Sequence, residues 1–97
     1  MRDFLGSLNP KQESKVLRAI QLVQEFGPEL GMPAVETIQN GLQCLRVKYA
    51  SDIFRVFFIL GPDHTMVFLN GFRKKTPKTP RREIKLAVRY QSDYLGR

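Results

Sequence analysis

In residues 42–49, apolar and polar side chains alternate with the two-residue period of a β-strand. Side chains two apart share a face of a strand, so Arg46 and Lys48 project together, and Leu45, Val47 and Tyr49 take the opposite face. A second run, residues 53–60, is rich in Val, Ile and Phe, and a Gly-Pro-Asp turn separates it from a third run at residues 65–70. These runs predict a small sheet that contains a hairpin with a short turn.

A helical period precedes the strands. Asn9 is a favoured N-cap, and Pro10 at the first helical position loses only an N–H that has no partner within the helix. The pattern predicts a helix over about residues 10–26, ended by a Gly-Pro pair. A short apolar turn at residues 4–8 comes before it, and residues 34–40 are expected to add one or two helical turns. The apolar side of the long helix is formed by Val16, Ala19, Ile20, Val23 and Phe26, with Leu17 beside them.

The last predicted element is a C-terminal helix. Thr79 can cap it and Pro80 can open it, after a loop at residues 72–80 that proline keeps out of helices and central strands. Its inner side is marked by Ile84, Ala87, Val88, Gln91 and Leu95. The outer side then carries a basic stripe of Arg82, Lys85 and Arg89.

Positive charge is concentrated near the C-terminus. The 97 residues include 16 Lys and Arg against 9 Asp and Glu, which gives a formal net charge of +7. Residues 71–97 hold nine of the bases and only two of the acids. This concentration favours a polyanionic partner over a merely solvated basic tail. The length predicts a single domain over residues 1–97.

Composition disfavours several kinds of site and location. Cys44 has no second cysteine with which to pair, and Cys44 with His64 is too small a ligand set for zinc, haem or an iron–sulfur cluster. We therefore expect no metal and no cofactor. The pattern predicts that Cys44 is a small core or sheet-face residue and that His64 is an exposed loop histidine. No run approaches the roughly 18 apolar residues of a membrane span and no signal peptide is evident, so a cytoplasmic location is expected.

The basic residues form a group with a chemical use. Arg46 and Lys48 share a strand face, Arg55 is the single charge in an apolar strand, and Arg73-Lys74-Lys75 lies just beyond the third strand. In an antiparallel meander they can converge, and arginine grips phosphate oxygens and offsets the charge of a pentacoordinate transition state. RNA supplies its own nucleophile, the 2′-hydroxyl, and a lysine among cations has a lowered pKa and can take its proton. The alternative is that these are solvated strand charges and residues 73–82 only an electrostatic arm.

Three segments, in this order, resemble successive motifs of the RelE/HigB toxin superfamily, most nearly its phage-associated HigB-like branch. They are Gly41-Leu42-Gln43-Cys44-Leu45-Arg46, Phe54-Arg55-Val56-Phe57-Phe58, and the stretch from Phe68 to Ile84 with Ala87 after it. The last stretch contains Gly71-Phe72-Arg73-Lys74-Lys75-Thr76-Pro77-Lys78-Thr79-Pro80, which is similar to the branch's Gly-Phe-x-Lys-Lys-Thr-x-Lys-Thr-Pro loop. The resemblance covers about residues 33–90.

The resemblance implies an α+β fold, in which a small twisted antiparallel sheet of three or four strands packs against N-terminal helices and a C-terminal helix follows. It implies a ribosome-dependent endoribonuclease toxin of a type II toxin–antitoxin pair, without a metal, that acts on messenger RNA. A cognate antitoxin with a helix-turn-helix domain would inactivate it by binding. Carried over by position, the catalytic residues are Lys48, Arg55, Arg73, Lys74 and Lys75. The residues that bind the RNA backbone are Arg46, Lys78, Arg81 and Arg82.

The chain also departs from the superfamily pattern. Members usually begin with a β-strand ahead of the helices, which predicts a sheet one strand short here, and they often have Glu where this chain has Cys44. Tyr90 is a candidate either for base stacking or for packing on the sheet. Two other functions stay open. One is a ParE-like poison of DNA gyrase, and the other is a non-catalytic or decayed relative that binds nucleic acid or the ribosome.

Overall fold

A computed structural model describes residues 2–27, 35–61, 65–74 and 81–96. The elements are α1 (Arg2–Gly6), α2 (Pro10–Phe26), β1 (Val35–Gln39), β2 (Leu42–Tyr49), β3 (Asp52–Leu60), β4 (Met66–Lys74) and α3 (Arg81–Leu95). The strands form one antiparallel sheet in the order β1-β2-β3-β4, so the predicted α+β fold is confirmed. No helix in the described ranges has the length and apolarity needed to cross a bilayer.

Helix α2 begins and ends at the predicted residues. The Asn9 side chain accepts a hydrogen bond from the Gln12 amide at 2.8 Å, and the Gln12 side chain accepts one from the Asn9 amide at 3.1 Å. This reciprocal capping box satisfies two backbone donors at the helix start. Val16, Ile20 and Val23 are buried, but Phe26 is 56% exposed and the prediction that it faces the core is wrong. Phe26 lies about 80° around the helix from Val16, at the edge of the buried stripe.

Residues 35–39 form strand β1, so the prediction of helical turns at residues 34–40 is wrong for the part that the structure describes. Asn40 and Gly41 connect β1 to β2, and both have positive φ angles, 45° and 81°. An Asn-Gly pair with two positive φ angles is the preferred two-residue turn of a hairpin, because its twist matches that of the strands. The turn, together with the β-branched residues of β1, outweighs any helical tendency of this short segment.

Helices cover both faces of the sheet. The face toward α1 and α2, here the α2 face, carries the larger apolar cluster, which includes Val47, Phe54, Val56 and Phe58. The opposite face, here the α3 face, carries Leu42, Cys44, Phe57, Ile59, Leu69 and Phe72 and packs against Ala87 of α3. The prediction that Leu95 lies on the inner side of α3 is wrong. Leu95 is 41% exposed although Ile84 and Val88, at similar angles around the helix, pack against this cluster, so the exposure follows from its position as the last residue of α3.

Strand β4 contains a β-bulge. Phe58 lies opposite Phe68, whereas Phe57 lies opposite Asn70, so Leu69 is an extra residue in β4. Beyond the bulge, Gly71 faces α1, and the ring of Phe4 lies over it on the α2 face. Phe4 also meets Phe54 edge to face, with the ring centroids 6.3 Å apart. The short helix α1 is therefore held on the sheet by Phe4, together with Leu5, which also packs against the apolar cluster of the α2 face.

Candidate functional site

Four cations of the described strands lie on the α3 face, at the end of the sheet next to the β2–β3 turn. Arg46 of β2 lies opposite Arg55 of β3. Lys48 of β2 and Lys74 of β4 lie on either side of Ile53, and neighbouring strands are about 4.8 Å apart, so the two lysines are separated by two strand spacings. Directly opposite residues share a face of the sheet. We call Arg46, Lys48, Arg55 and Lys74 the basic cluster.

The basic cluster is open to solvent at its rim and closed at its centre. Arg46 and Lys48 are exposed, Lys74 is half-buried, and Arg55 is buried with 8% exposure. Helix α3 packs at the other end of the same face, where Ala87 joins the apolar cluster with Leu42 and Ile59. No described helix covers the end of the α3 face next to the β2–β3 turn, which is therefore a basic surface with a buried arginine at its centre.

Arg55 is held by one carboxylate. Its Nη1 donates a hydrogen bond to Glu36 Oε2 at 3.0 Å and lies 3.9 Å from Cys44 Sγ, while its Nε is buried without a partner among the described residues. An unpaired buried cation is costly, so a charge in this apolar strand requires a nearby acid. Glu36 meets that requirement from β1, across the intervening strand β2.

Cys44 lies in the core of the sheet, as the sequence predicts, and touches Arg55. Burial raises the pKa of the Cys44 thiol, and the hydrogen bond and positive charge of Arg55 oppose that rise only in part. A thiol rather than a thiolate therefore occupies this position at neutral pH. Because the thiolate is the reactive form, Cys44 is poorly suited to act as a nucleophile.

Lys74 responds to the charges around it. Partial burial lowers the pKa of the Lys74 ammonium, and the positive charges of Arg55 and Arg46 lower it further, against smaller opposite effects of Glu36 and Cys44. The half-buried lysine thus loses its proton more readily than a free lysine does. A lysine with a lowered pKa becomes uncharged, and therefore able to accept a proton, at a lower pH than an ordinary lysine does.

Arg73 does not lie with the basic cluster. Adjacent residues of a strand point to opposite faces, and Arg73 lies on the α2 face, where its Nη2 pairs with Asp52 Oδ1. Gln12 of α2 donates to the other oxygen of the Asp52 carboxylate at 3.5 Å. The structure therefore separates two neighbouring members of the predicted Arg73-Lys74-Lys75 group.

The other predicted residues fall into two groups. Lys75 and Lys78 lie outside the described residues, as do His64, Thr79 and Pro80. Arg81 and Arg82 begin α3 and are exposed. Tyr90 is 40% exposed and lines a cavity of about 430 Å³ beside β4, between α1 and α3.

Glu36 is the residue of this site that the sequence analysis missed. From the sequence, helical turns are predicted for its segment, although Val35, Thr37 and Ile38 are β-branched and the Asn-Gly turn follows. That turn predicts strand β1, but a regular hairpin built on it would pair Glu36 with Leu45 on the α2 face. A β-bulge between Thr37 and Gln39 shifts the register and places Glu36 opposite Cys44. Across the part of the chain that the structure describes, no three His, Cys, Asp or Glu side chains form a group that could hold a metal ion.

Comparison with known proteins adds one finding to this geometry. A family model described as Phage derived protein Gp49-like (DUF891) matches residues 3–91 of the chain, which include all the strands and the whole basic cluster. A search of curated proteins gave no match.

Proposed function

Since the chain belongs to the phage-derived Gp49-like family, we propose that it is the toxin of a type II toxin–antitoxin pair and cleaves messenger RNA on the ribosome. The observation that carries the proposal is the basic cluster, in which Arg46 lies directly opposite the buried Arg55. Lys48 and Lys74 flank Ile53 on the same face, nearer the β2–β3 turn. Clustered cations bind a phosphodiester backbone and stabilise the extra negative charge that develops at phosphorus during cleavage.

The proposed reaction uses a hydroxyl group of the RNA as the nucleophile. The 2′-oxygen forms a bond to phosphorus, the bond from phosphorus to the 5′-oxygen breaks, and the 2′-hydroxyl proton passes to neutral Lys74. The lowered pKa of Lys74 supports this assignment. Arg55 contacts the scissile phosphate, and Lys48 gives a proton to the departing 5′-oxygen. No metal or cofactor takes part.

The remaining basic residues bind rather than react. Arg46 contacts the neighbouring phosphate, and Lys75, Lys78, Arg81 and Arg82 bind the RNA backbone, which fixes position without reading sequence. Arg73 keeps the end of β4 in place through its ion pair with Asp52 on the other face. In this proposal the partners are the ribosome, messenger RNA and a helix-turn-helix antitoxin, and the reaction takes place in the cytoplasm.

The test is induced expression of the chain in a bacterium, with growth followed and RNA 5′ ends mapped. We expect growth arrest and new cuts inside translated messages, both lost in Arg55→Ala and Lys74→Ala. The matched control is Arg18→Ala, which removes an exposed cation of α2 that lies outside the basic cluster. Its toxicity should equal that of the wild type.

Three results would contradict the proposal in different ways. Undiminished cutting by folded Arg55→Ala and Lys74→Ala would refute the residue assignment. Arrest with intact messages and impaired DNA supercoiling would identify a poison of gyrase. A folded protein that causes neither arrest nor cuts would be a non-catalytic binding relative.

A further inference from the structure

We infer that Glu36 is a positioning residue that aims the Arg55 guanidinium at the scissile phosphate, and this inference rests on the proposed function. Arg55 Nη1 donates a hydrogen bond to Glu36 Oε2 at 3.0 Å. Among the described residues, Glu36 is the only one whose side-chain oxygen the structure shows in contact with Arg55. A guanidinium is planar, so fixing one of its terminal nitrogens restricts the directions of the others.

The contact joins strands that are not neighbours. Glu36 belongs to the edge strand β1 and Arg55 to β3, and between them lies Cys44 of β2. The Arg55 side chain, only 10% exposed, reaches across this middle strand, whereas the Glu36 side chain is 44% exposed. Glu36 therefore holds the arginine from the solvent side, where an approaching RNA phosphate would meet the same group.

The negative charge of Glu36 makes the positioning role testable, because removal of this charge should affect RNA binding and RNA cleavage differently. Glu36 is the one acid on the α3 face among the described strand residues, since Asp52 lies on the opposite face with Arg73. Its removal makes the basic cluster more positive, which strengthens attraction to the RNA backbone. The same removal frees the guanidinium to turn away from the geometry that cleavage needs. Removal of Glu36 should therefore slow cleavage without weakening binding.

Cys44 offers a second place from which a carboxylate can reach Arg55. Glu36 and Cys44 are direct partners in the β1–β2 register, and Cys44 Sγ already lies 3.9 Å from the same Nη1 that Glu36 contacts. A glutamate at position 44 would share the face of Glu36 and approach the same nitrogen. The double variant Glu36→Ala with Cys44→Glu thus moves the carboxylate without removing it.

The experiment uses the full chain with ribosomes carrying a short message. It measures the single-turnover cleavage rate and, separately, the affinity for a message whose 2′-hydroxyl at the cleaved bond is replaced by hydrogen. For Glu36→Ala we expect the rate to fall about 100-fold, the effect of a small misplacement of a catalytic group. Affinity for the uncleavable message should stay the same or increase. The double variant should recover most of the rate.

The control is Glu25→Ala, which makes the same change in net charge on the exposed side of α2 and should alter neither quantity. A rate for folded Glu36→Ala within about threefold of the wild type would overturn the inference. So would rate and affinity falling together, or a double variant as slow as the single one. If the wild type does not cleave, the proposed function fails and this inference fails with it. The three overturning results above apply only when the wild type cleaves, so they refute the role of Glu36 and leave the proposed function intact.

Discussion

Replacement of Gly71 by alanine should loosen the packing of α1 on the sheet. A Cβ atom at Gly71 would lie 2.5 Å from Phe4 Cδ2 and 2.6 Å from Cε2, closer than real Cβ atoms approach their neighbours. The ring must retreat by about 1 Å to reach ordinary carbon contact. Phe4 is also packed against Phe54, so this retreat disturbs the edge-to-face pair as well.

Two opposing terms set the size of the effect. Overpacking of this kind destabilises a folded protein by about 1–3 kcal/mol. Alanine also lowers the conformational entropy of the unfolded chain, which stabilises the folded protein by about 0.4–1 kcal/mol because the φ angle at Gly71 is not positive. From the middle of these ranges, the free energy of unfolding should fall by about 1 kcal/mol, which for a domain of this size lowers the melting temperature by about 4–8 °C. Thermal unfolding followed by far-ultraviolet circular dichroism measures it.

Two further variants separate the clash from other causes. At Gly6, in α1 itself, an added Cβ meets nothing within 4 Å, so Gly6→Ala should leave stability unchanged or raise it. The double variant Phe4→Ala with Gly71→Ala should be no less stable than Phe4→Ala alone, because the clashing ring is gone. A Gly71→Ala protein that melts within about 2 °C of the wild type would refute the reasoning.

Three other measurements test the site and the fold. Arg55→Met should abolish cleavage yet leave the unfolding free energy unchanged or raised, because an apolar side chain of similar volume needs no carboxylate; urea unfolding measures it, and a marked loss of stability would contradict it. Asn9→Ala should cost about 1 kcal/mol in the same assay by removing the capping box, whereas an unchanged midpoint would show that the cap adds nothing. Folding lowers the pKa of Lys74 below its ordinary value of 10.5. At a pH between these two values, the unfolded chain keeps a proton that the folded chain has lost, so the free energy of unfolding should rise with pH across that interval. Lys74→Gln should remove this part of the pH dependence, and identical slopes in the two proteins would exclude it.

Local patterns account for the elements that the sequence predicts well. The bounds of α2 follow from Asn9-Pro10 at one end and Gly27 at the other, all of which act through their immediate neighbours. The predicted bounds and faces of β2 agree with the structure. A strand with alternating side chains can bury its apolar face in only one pairing register, because a shift by one residue would turn that face to solvent.

Other features depend on contacts between distant residues. The carboxylate that holds Arg55 comes from a residue 19 positions away, on a strand that is not its neighbour. Nothing local to Arg55 reveals that partner. Strand β1 was missed for a similar reason, since five residues with mixed polarity become a strand only when β2 pairs with them. The separation of Arg73 from Lys74 depends on which face each residue of β4 occupies, and the third predicted run stopped short of both residues.

The bulge at Leu69 exchanges the two faces of β4, so that residues of the same parity face opposite sides of the sheet before and after it. Ahead of it, even-numbered residues such as Phe68 face α2; after it, Gly71 and Arg73 do so and Lys74 joins the cations on the other side. A regular strand of the same sequence would have to put Phe68 and Lys74 on one face, so that either the core would lose a ring or the cluster would lose a cation. One added residue lets nine consecutive positions serve a hydrophobic core at one end and a charged surface at the other. Deletion of Leu69 would force that choice on the strand.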